Sequence, residues 1–296
     1  MKAALLPDRG VLKVAGDDSR RFLNGLLTVD ISEMLPGKAR FTALLTPQGK
    51  IIVDFFVVEA AADDGGGFFI DCPRPLAATL VEKFAFYKLR AKVTIDDLSD
   101  RLSVFALWEG QADSDYGLSY ADPRLAALGA RIILPPEVAN EAATELGAQI
   151  SSGEDYETHR IGLGVPRGGV DFIYGDTFPH EAGMDQLAGV DFEKGCYIGQ
   201  EVVSRVEHRG NARSRVVPIR YDEFAPSSGL PVMAGEKQVG VLGSTAKGHG
   251  LAMLRLDRVE DAVTQGVPLI AGGITIRVVK PDWASFAFPG EAKAAQ

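Results

Sequence analysis

The sequence is poor in most of what marks a secreted, membrane-spanning or nucleic-acid-coating protein. Its 296 residues include 2 cysteines, Cys72 and Cys196, which excludes a disulfide framework and leaves no CxxC pair for zinc or redox chemistry. It lacks a long apolar run. The most hydrophobic stretch, Ile51 to Ala62, is broken by Asp54 and Glu59 and falls short of the about 18 residues that a bilayer span needs. Positive charge is in deficit: 31 Lys and Arg against 40 Asp and Glu give a net charge of −9, which repels polyphosphate, so no direct nucleic-acid partner is expected. His159, His180 and His208 have no second ligand at metal spacing and HExxH is absent, so no metal site and no stable cluster is expected. Gly162-Leu163-Gly164 is not a dinucleotide fingerprint, because Arg167 stands where the third glycine belongs. The start, MKAALLPDRG, has one Lys and too short an apolar run for a signal-peptide core. With so few cysteines, this predicts a reducing, cytoplasmic setting and no membrane partner.

What is present suits a folded α+β chain. Hydrophobic residues make up 46% of it, enough for more than one core. Arg40 to Thr46 and Ile51 to Glu59 read as strands around a Pro47-Gln48-Gly49 turn. Asp17 or Asp18 is placed to cap a helix carrying Phe22, Leu23, Leu26 and Leu27 on one face, and Leu76, Leu80, Phe84 and Tyr87 recur at helical spacing after Pro73. Pro135-Pro136 opens another helix, and a further one carries Tyr156, Arg160 and Ile161. From Gly164 to Gly189 no period holds, although Phe172, Tyr174, Phe178 and Met184 make the stretch too apolar for a solvated tail; such irregular length favours function. Beyond Arg213, short β-like runs between Gly, Pro and Ser turns suggest a small antiparallel barrel or sandwich. The expected division is 1–110, 111–212 and 213–296.

The densest chemistry lies in Lys194-Gly195-Cys196-Tyr197-Ile198-Gly199-Gln200-Glu201, which gathers a cation, a thiol, a phenol, an amide and a carboxylate. Two glycines permit a tight backbone that presents Cys196, and Lys194 would favour its thiolate; the plainer reading is a buried core cysteine. Downstream, Arg205, Arg209, Arg213 and Arg215 are opposed only by Glu207. This local positive spot would steer an anionic ligand or partner, or equally protect a strand or loop edge.

The octapeptide KGCYIGQE resembles the signature of the YgfZ family of folate-binding proteins, relatives of the glycine cleavage aminomethyltransferase (T-protein) that include a mitochondrial iron–sulfur assembly factor. GDDSRRFLNGLLTVD (16–30), TALLTPQGKI (42–51), RIGLGVP (160–166) and the segment from Phe178 to Gly210 are similar to further family stretches, in order. The resemblance implies an α+β fold of three domains in a ring like the T-protein, with a small C-terminal antiparallel β-barrel. It also implies a tetrahydrofolate ligand, polyglutamylated or not, and iron–sulfur client or carrier proteins as partners of a monomer. The key thiol would be Cys196, with Lys194, Gln200 and Glu201 beside it, and Tyr156, Arg160, Glu181, Tyr197 and Arg205 would line the folate site. Tyr156 takes the place of a family tryptophan, and Gly10 that of a second. Arg160 would face the cavity or pair with Glu157, and Glu181 would read the pterin edge or remain a solvated loop carboxylate. Where the T-protein carries an Asp pair after a hairpin glycine, this chain has Val53 and Asp54. Valine moves no proton, which disfavours aminomethyl transfer; that enzyme and a non-catalytic folate adaptor are the alternatives.

Overall fold

Runs rich in valine, isoleucine and phenylalanine form the strands of the first half of the chain. The structure, a computed structural model, describes residues 1–110, 114, 116–209, 212–222 and 224–290, without the side chains of Asp64 and Arg209. It separates into a unit of Met1–Tyr156 with Leu187–Val202 and a unit of Glu157–Gln186 with Val203–Gln296. No helix among the described residues is long and apolar enough to cross a membrane.

The first unit runs β1 (Lys2–Leu6), β2 (Arg9–Ala15), α1 (Ser19–Asn24), β3 (Ala39–Leu45), β4 (Ile51–Glu59), β5 (Phe68–Pro73), α2 (Ala77–Lys88), β6 (Thr94–Asp97), β7 (Ser103–Trp108), β8 (Leu118–Ala121), β9 (Ala130–Leu134), α3 (Ala139–Glu145) and β10 (Gln149–Ile150). One antiparallel sheet has the order β3-β4-β5-β2-β6. The other has the order β10-β1-β7-β9-β8, with β10 parallel to β1. Against the first sheet, α2 buries Leu80 and Phe84, and the Phe84 ring meets Phe22 and Phe55 edge-on. Helix α1 is shorter than its apolar pattern predicts, since the chain leaves helix after Asn24 and both Leu26 and Leu27 donate back to the Leu23 carbonyl. Asp18 stands at its N-cap, but its carboxylate accepts the Lys92 backbone N–H instead of capping.

A buried polar seam joins the two sheets around Asp71 on β5. That carboxylate accepts from Arg9 at 2.5 Å, Arg131 at 2.8 Å and the Tyr120 hydroxyl at 2.7 Å. Arg131 and Arg124 both pair with Asp122, and the guanidiniums of Arg9, Arg124 and Arg131 lie over the Phe56 ring. The two arginines hold the Asp71 carboxyl below the usual range against the opposing effect of burial.

Two helices cross from one unit to the other, α4 (Gly153–Gly162) and α5 (Gln200–Arg209). The second unit continues with β11 (Ser214–Arg220), β12 (Pro231–Ala234), β13 (Lys237–Ala246), β14 (His249–Arg255), α6 (Leu256–Thr264), β15 (Leu269–Ala271) and β16 (Ile274–Val278). These strands close into an antiparallel barrel, β11-β14-β13-β12-β15-β16, which settles barrel over sandwich and removes the unpaired edges a sandwich would leave. Between α4 and α5 there is no helix or regular strand, in keeping with the missing period from Gly164 to Gly189.

Candidate functional site

The segment from Gly189 to Gly199 is irregular, so its place in the first unit must be fixed by side chains and close backbone contacts. The Thr28 hydroxyl donates to the Gly189 carbonyl at 2.6 Å, and the Asp191 N–H donates to the Thr28 carbonyl. Lys194 is 7% exposed and directs its ammonium at the loop after α1, donating to the carbonyls of Asn24, Leu27 and Val29 at 2.7–2.8 Å. Its cation also lies 5.3 Å from the Tyr197 ring centroid. Burial lowers the Lys194 pKa to about 8 and raises that of the buried Tyr197 phenol to about 12. The sequence reading set Lys194 to favour a thiolate; the structure shows its three protons bonded to backbone carbonyls.

Gly199 completes the anchorage. It has φ +83°, and a Cβ there would stand 2.6 Å from the Thr46 carbonyl oxygen in the β3–β4 turn. Gly195, by contrast, has open space around it. Between these held points the backbone presents Cys196, which is exposed and unbridged. Cys72 is also unbridged, lies in the core and has its thiol pushed up to about 12 by burial, so the two cysteines form no disulfide. An exposed thiol on a fixed loop can ligate a metal or attack an electrophile; the buried one can do neither. Gln200 donates to the Lys194 carbonyl at 3.4 Å, and exposed Glu201 sits in the first turn of α5.

The remaining candidates are dispersed. In the first unit, Tyr156 is 2% exposed, packs edge-on against Trp108 and accepts a hydrogen bond from Arg131, which places it in the Asp71 seam. In the second unit, Arg160 is 2% exposed and has every guanidinium N–H in use, toward Glu157, Val165, Asp171 and Ser244. Pairing with Glu157 is therefore realised, and no donor remains for a ligand. Glu181 accepts the Phe178 N–H at 2.8 Å. Arg205 is exposed on α5, whereas Arg215 is buried, bidentate to Asp185 and stacked on Phe286. Arg213 is exposed, and the Arg209 side chain lies outside the described residues. The four arginines thus do not form one strand edge. Tyr156 and Arg160, as placed, do not offer a folate an open face or an unused donor.

Two features escaped the sequence reading. Helix α5 begins inside the octapeptide, and the spacing of Val202, Val203 and Val206 was a usable signal for it. The side chains of His180, Asp185 and Glu207 offer ligand atoms within 4.8 Å of one another, but Arg215 already holds Asp185 and His180 Nε2 lies 2.9 Å from Glu207. Glu207 comes from α5 whereas His180 and Asp185 belong to the irregular segment before it, so no single local motif shows the three together.

A first unit of two five-stranded sheets and a closed six-stranded C-terminal barrel define a protein of aminomethyltransferase-like fold. Residues 8–113 match the GCVT N-terminal domain, and residues 213–286 match the CAF17 C-terminal beta-barrel domain. The glycine cleavage system aminomethyltransferase T of Bartonella henselae superposes with a TM-score of 0.75 over 97% of this chain and 87% of that one, at 16% identity, a likeness of fold. Among curated proteins, the mitochondrial iron–sulfur cluster assembly factor IBA57 homolog of Pyricularia oryzae is 30% identical over 90% of this chain and 75% of its own length. The chain belongs to the family of IBA57 iron–sulfur cluster assembly factors. The homolog of Mycosarcoma maydis is 32% identical over 74% of this chain, which spans only 57% of that relative, and human IBA57 is 29% identical over 86% of this chain.

Two expectations change accordingly. The family narrows to the IBA57 branch of the T-protein relatives: the iron–sulfur assembly part of the expectation holds, and the YgfZ branch itself is not what the relatives are named for. The cytoplasmic setting is overturned, because these relatives are named as mitochondrial proteins. The physical reason is simple: scarce, unbridged cysteines report a reducing environment and do not distinguish one reducing compartment from another.

Proposed function

We propose that this chain assists the maturation or repair of iron–sulfur enzymes, with the Cys196 thiol lending one ligand to a cluster in transit. The carrying observation is the exposed Cys196 on a loop held on both sides by Lys194 and Gly199. A single cysteine cannot hold a cluster that needs about four thiolate-type ligands, so the remaining ligands come from a carrier or client protein. On ligation the thiol loses its proton to solvent and the sulfur enters the iron's coordination shell; no electron is transferred. The names of the IBA57 relatives support this reading.

Tetrahydrofolate binding is a second part of the proposal and rests on the octapeptide resemblance and the T-protein-like fold. No chemical step is routed through it. Aminomethyl transfer is not favoured, since Val53 is fully buried among the core residues of the first sheet and offers no proton-handling group. The test is restoration of a cluster-dependent enzyme's activity by the full chain and by Cys196→Ser. The expected result is loss of restoration with unchanged far-UV dichroism; full restoration by the serine variant overturns the role of the thiol. Tetrahydrofolate titration reads the second part independently, and absence of saturable binding removes it.

A further inference from the structure

The exposed end of α2 has a composition unlike the rest of this acidic chain. From Lys83 to Lys92 the sequence KFAFYKLRAK contains Lys83, Lys88, Arg90 and Lys92 and no acidic residue, in a protein of net charge −9. Leu80 and Phe84 turn inward to the core, which leaves Lys83 and Phe86 exposed on the outer face of the helix, and Arg90 exposed in the turn that follows it. Phe86 is 73% exposed and Leu89 is 88% exposed. Glu82 flanks these residues on one side, and Asp18 accepts the Lys92 backbone N–H on the other.

The backbone at Leu89 gives the patch a second mark. Its φ is 47° and ψ is −107°, and the Ala91 N–H donates to the Lys88 carbonyl at 2.8 Å, closing a four-residue turn. These angles are those of the second residue of a type II′ turn, a position that glycine takes without strain and leucine does not. A large apolar side chain is therefore held out into water, in a strained conformation, amid four cations. Neither core packing nor turn chemistry accounts for a leucine there, and strain kept at an exposed position points to use.

We infer that this end of α2 is a docking face for an acidic protein, and, resting on the proposed function, that the partner is a small acidic iron–sulfur carrier. Charge complementarity selects it: four cations around two apolar side chains match a carboxylate rim about a shallow apolar hollow. A second copy of the chain is disfavoured, because a two-fold contact would set the cations against themselves. The exposed Phe86 and Leu89 suit an apolar hollow in a protein better than a phosphate backbone, and α2 has its longer apolar face buried, which disfavours insertion into an anionic membrane.

The test is binding of the full chain to a purified, fluorescently labelled acidic [2Fe–2S] protein, read by anisotropy at low and moderate salt. Affinity of the wild type is expected to fall with salt. Lys88→Glu/Arg90→Glu and, separately, Leu89→Gly are each expected to weaken binding about tenfold. Leu89→Gly is also expected to leave the thermal midpoint undiminished, since it relieves the turn, so a folding defect cannot mimic the loss. The same affinities are read with the metal-free form of the carrier, which has no cluster for Cys196 to ligate; the losses in the surface variants are expected to persist there, which keeps docking distinct from the thiol role that restoration assays decide. Wild-type affinity in both surface variants overturns the inference. So does failure of the wild type to bind the carrier, or tighter binding to a single-stranded RNA or to phosphatidylserine vesicles.

Discussion

Gly49 and Gly199 face each other at van der Waals distance: a Cβ on Gly199 would lie 3.0 Å from the Gly49 Cα, and both residues have positive φ. The turn between β3 and β4 and the loop bearing Cys196 thus meet backbone to backbone, with no side chain between them. This contact, with the Lys194 anchor, fixes where the thiol stands.

Gly199→Ala should therefore cost about 1–3 kcal/mol, because its Cβ meets a carbonyl oxygen and its φ is unfavourable. It should also lower cluster restoration. Gly195→Ala, with open space around it, should stay within about 0.5 kcal/mol. Urea denaturation of the two variants checks the contrast, and equal effects would remove the anchoring role of Gly199.

Lys194→Met should destabilise the fold by leaving the carbonyls of Asn24, Leu27 and Val29 without their donor. The pH dependence has a definite sign. The folded-state value of about 8 lies below the ordinary value of about 10.4, so between them the unfolded chain holds the extra proton. In that window the lysine makes the wild type more stable as pH rises, and below about 8 this gain is absent. The stability gap between wild type and Lys194→Met should therefore be wider at pH 9.5 than at pH 7.5 (about two units).

Asp71→Ala should cost about 3–5 kcal/mol, because it strands the buried guanidiniums of Arg9 and Arg131. The Asp71 carboxyl titrates below its ordinary value, so its contribution is complete above about pH 4 and disappears as pH falls through the lower folded-state value. Equilibrium unfolding of Asp71→Asn and wild type from pH 7 to pH 2 should show the two curves converging only in acid.

In the second unit, Asp171 accepts from Arg160, from the Arg167 backbone and from Ser244 while fully buried. Asp171→Ala should cost about 3–5 kcal/mol by leaving the Arg160 charge unbalanced. Glu157→Gln, at a part-exposed carboxylate, should cost under about 1 kcal/mol. Thermal unfolding separates the two.

The strands around the Pro47-Gln48-Gly49 turn, α2 and the barrel were legible because each carries its own period or turn chemistry. Strand β1 was not, since MKAALLPDRG is a short run without alternation and takes its conformation from pairing with β7. Cys196 could be singled out from its neighbours in the chain. The inward aim of Lys194 could not, because the carbonyls it meets lie on the order of 170 residues earlier, and only tertiary structure makes a cation there an anchor. Arg160 and Tyr156 looked like ligand contacts for the same reason: residue type alone does not tell whether a donor is already in use.

The contrast between Cys72, sealed in the core with its thiol held near 12, and Cys196, open to water, gives the unmodified chain a single labelling position. A maleimide dye or nitroxide added to the native protein will report from one atom on the octapeptide loop. Arrivals and departures at that loop can then be followed by spectroscopy with no residue changed.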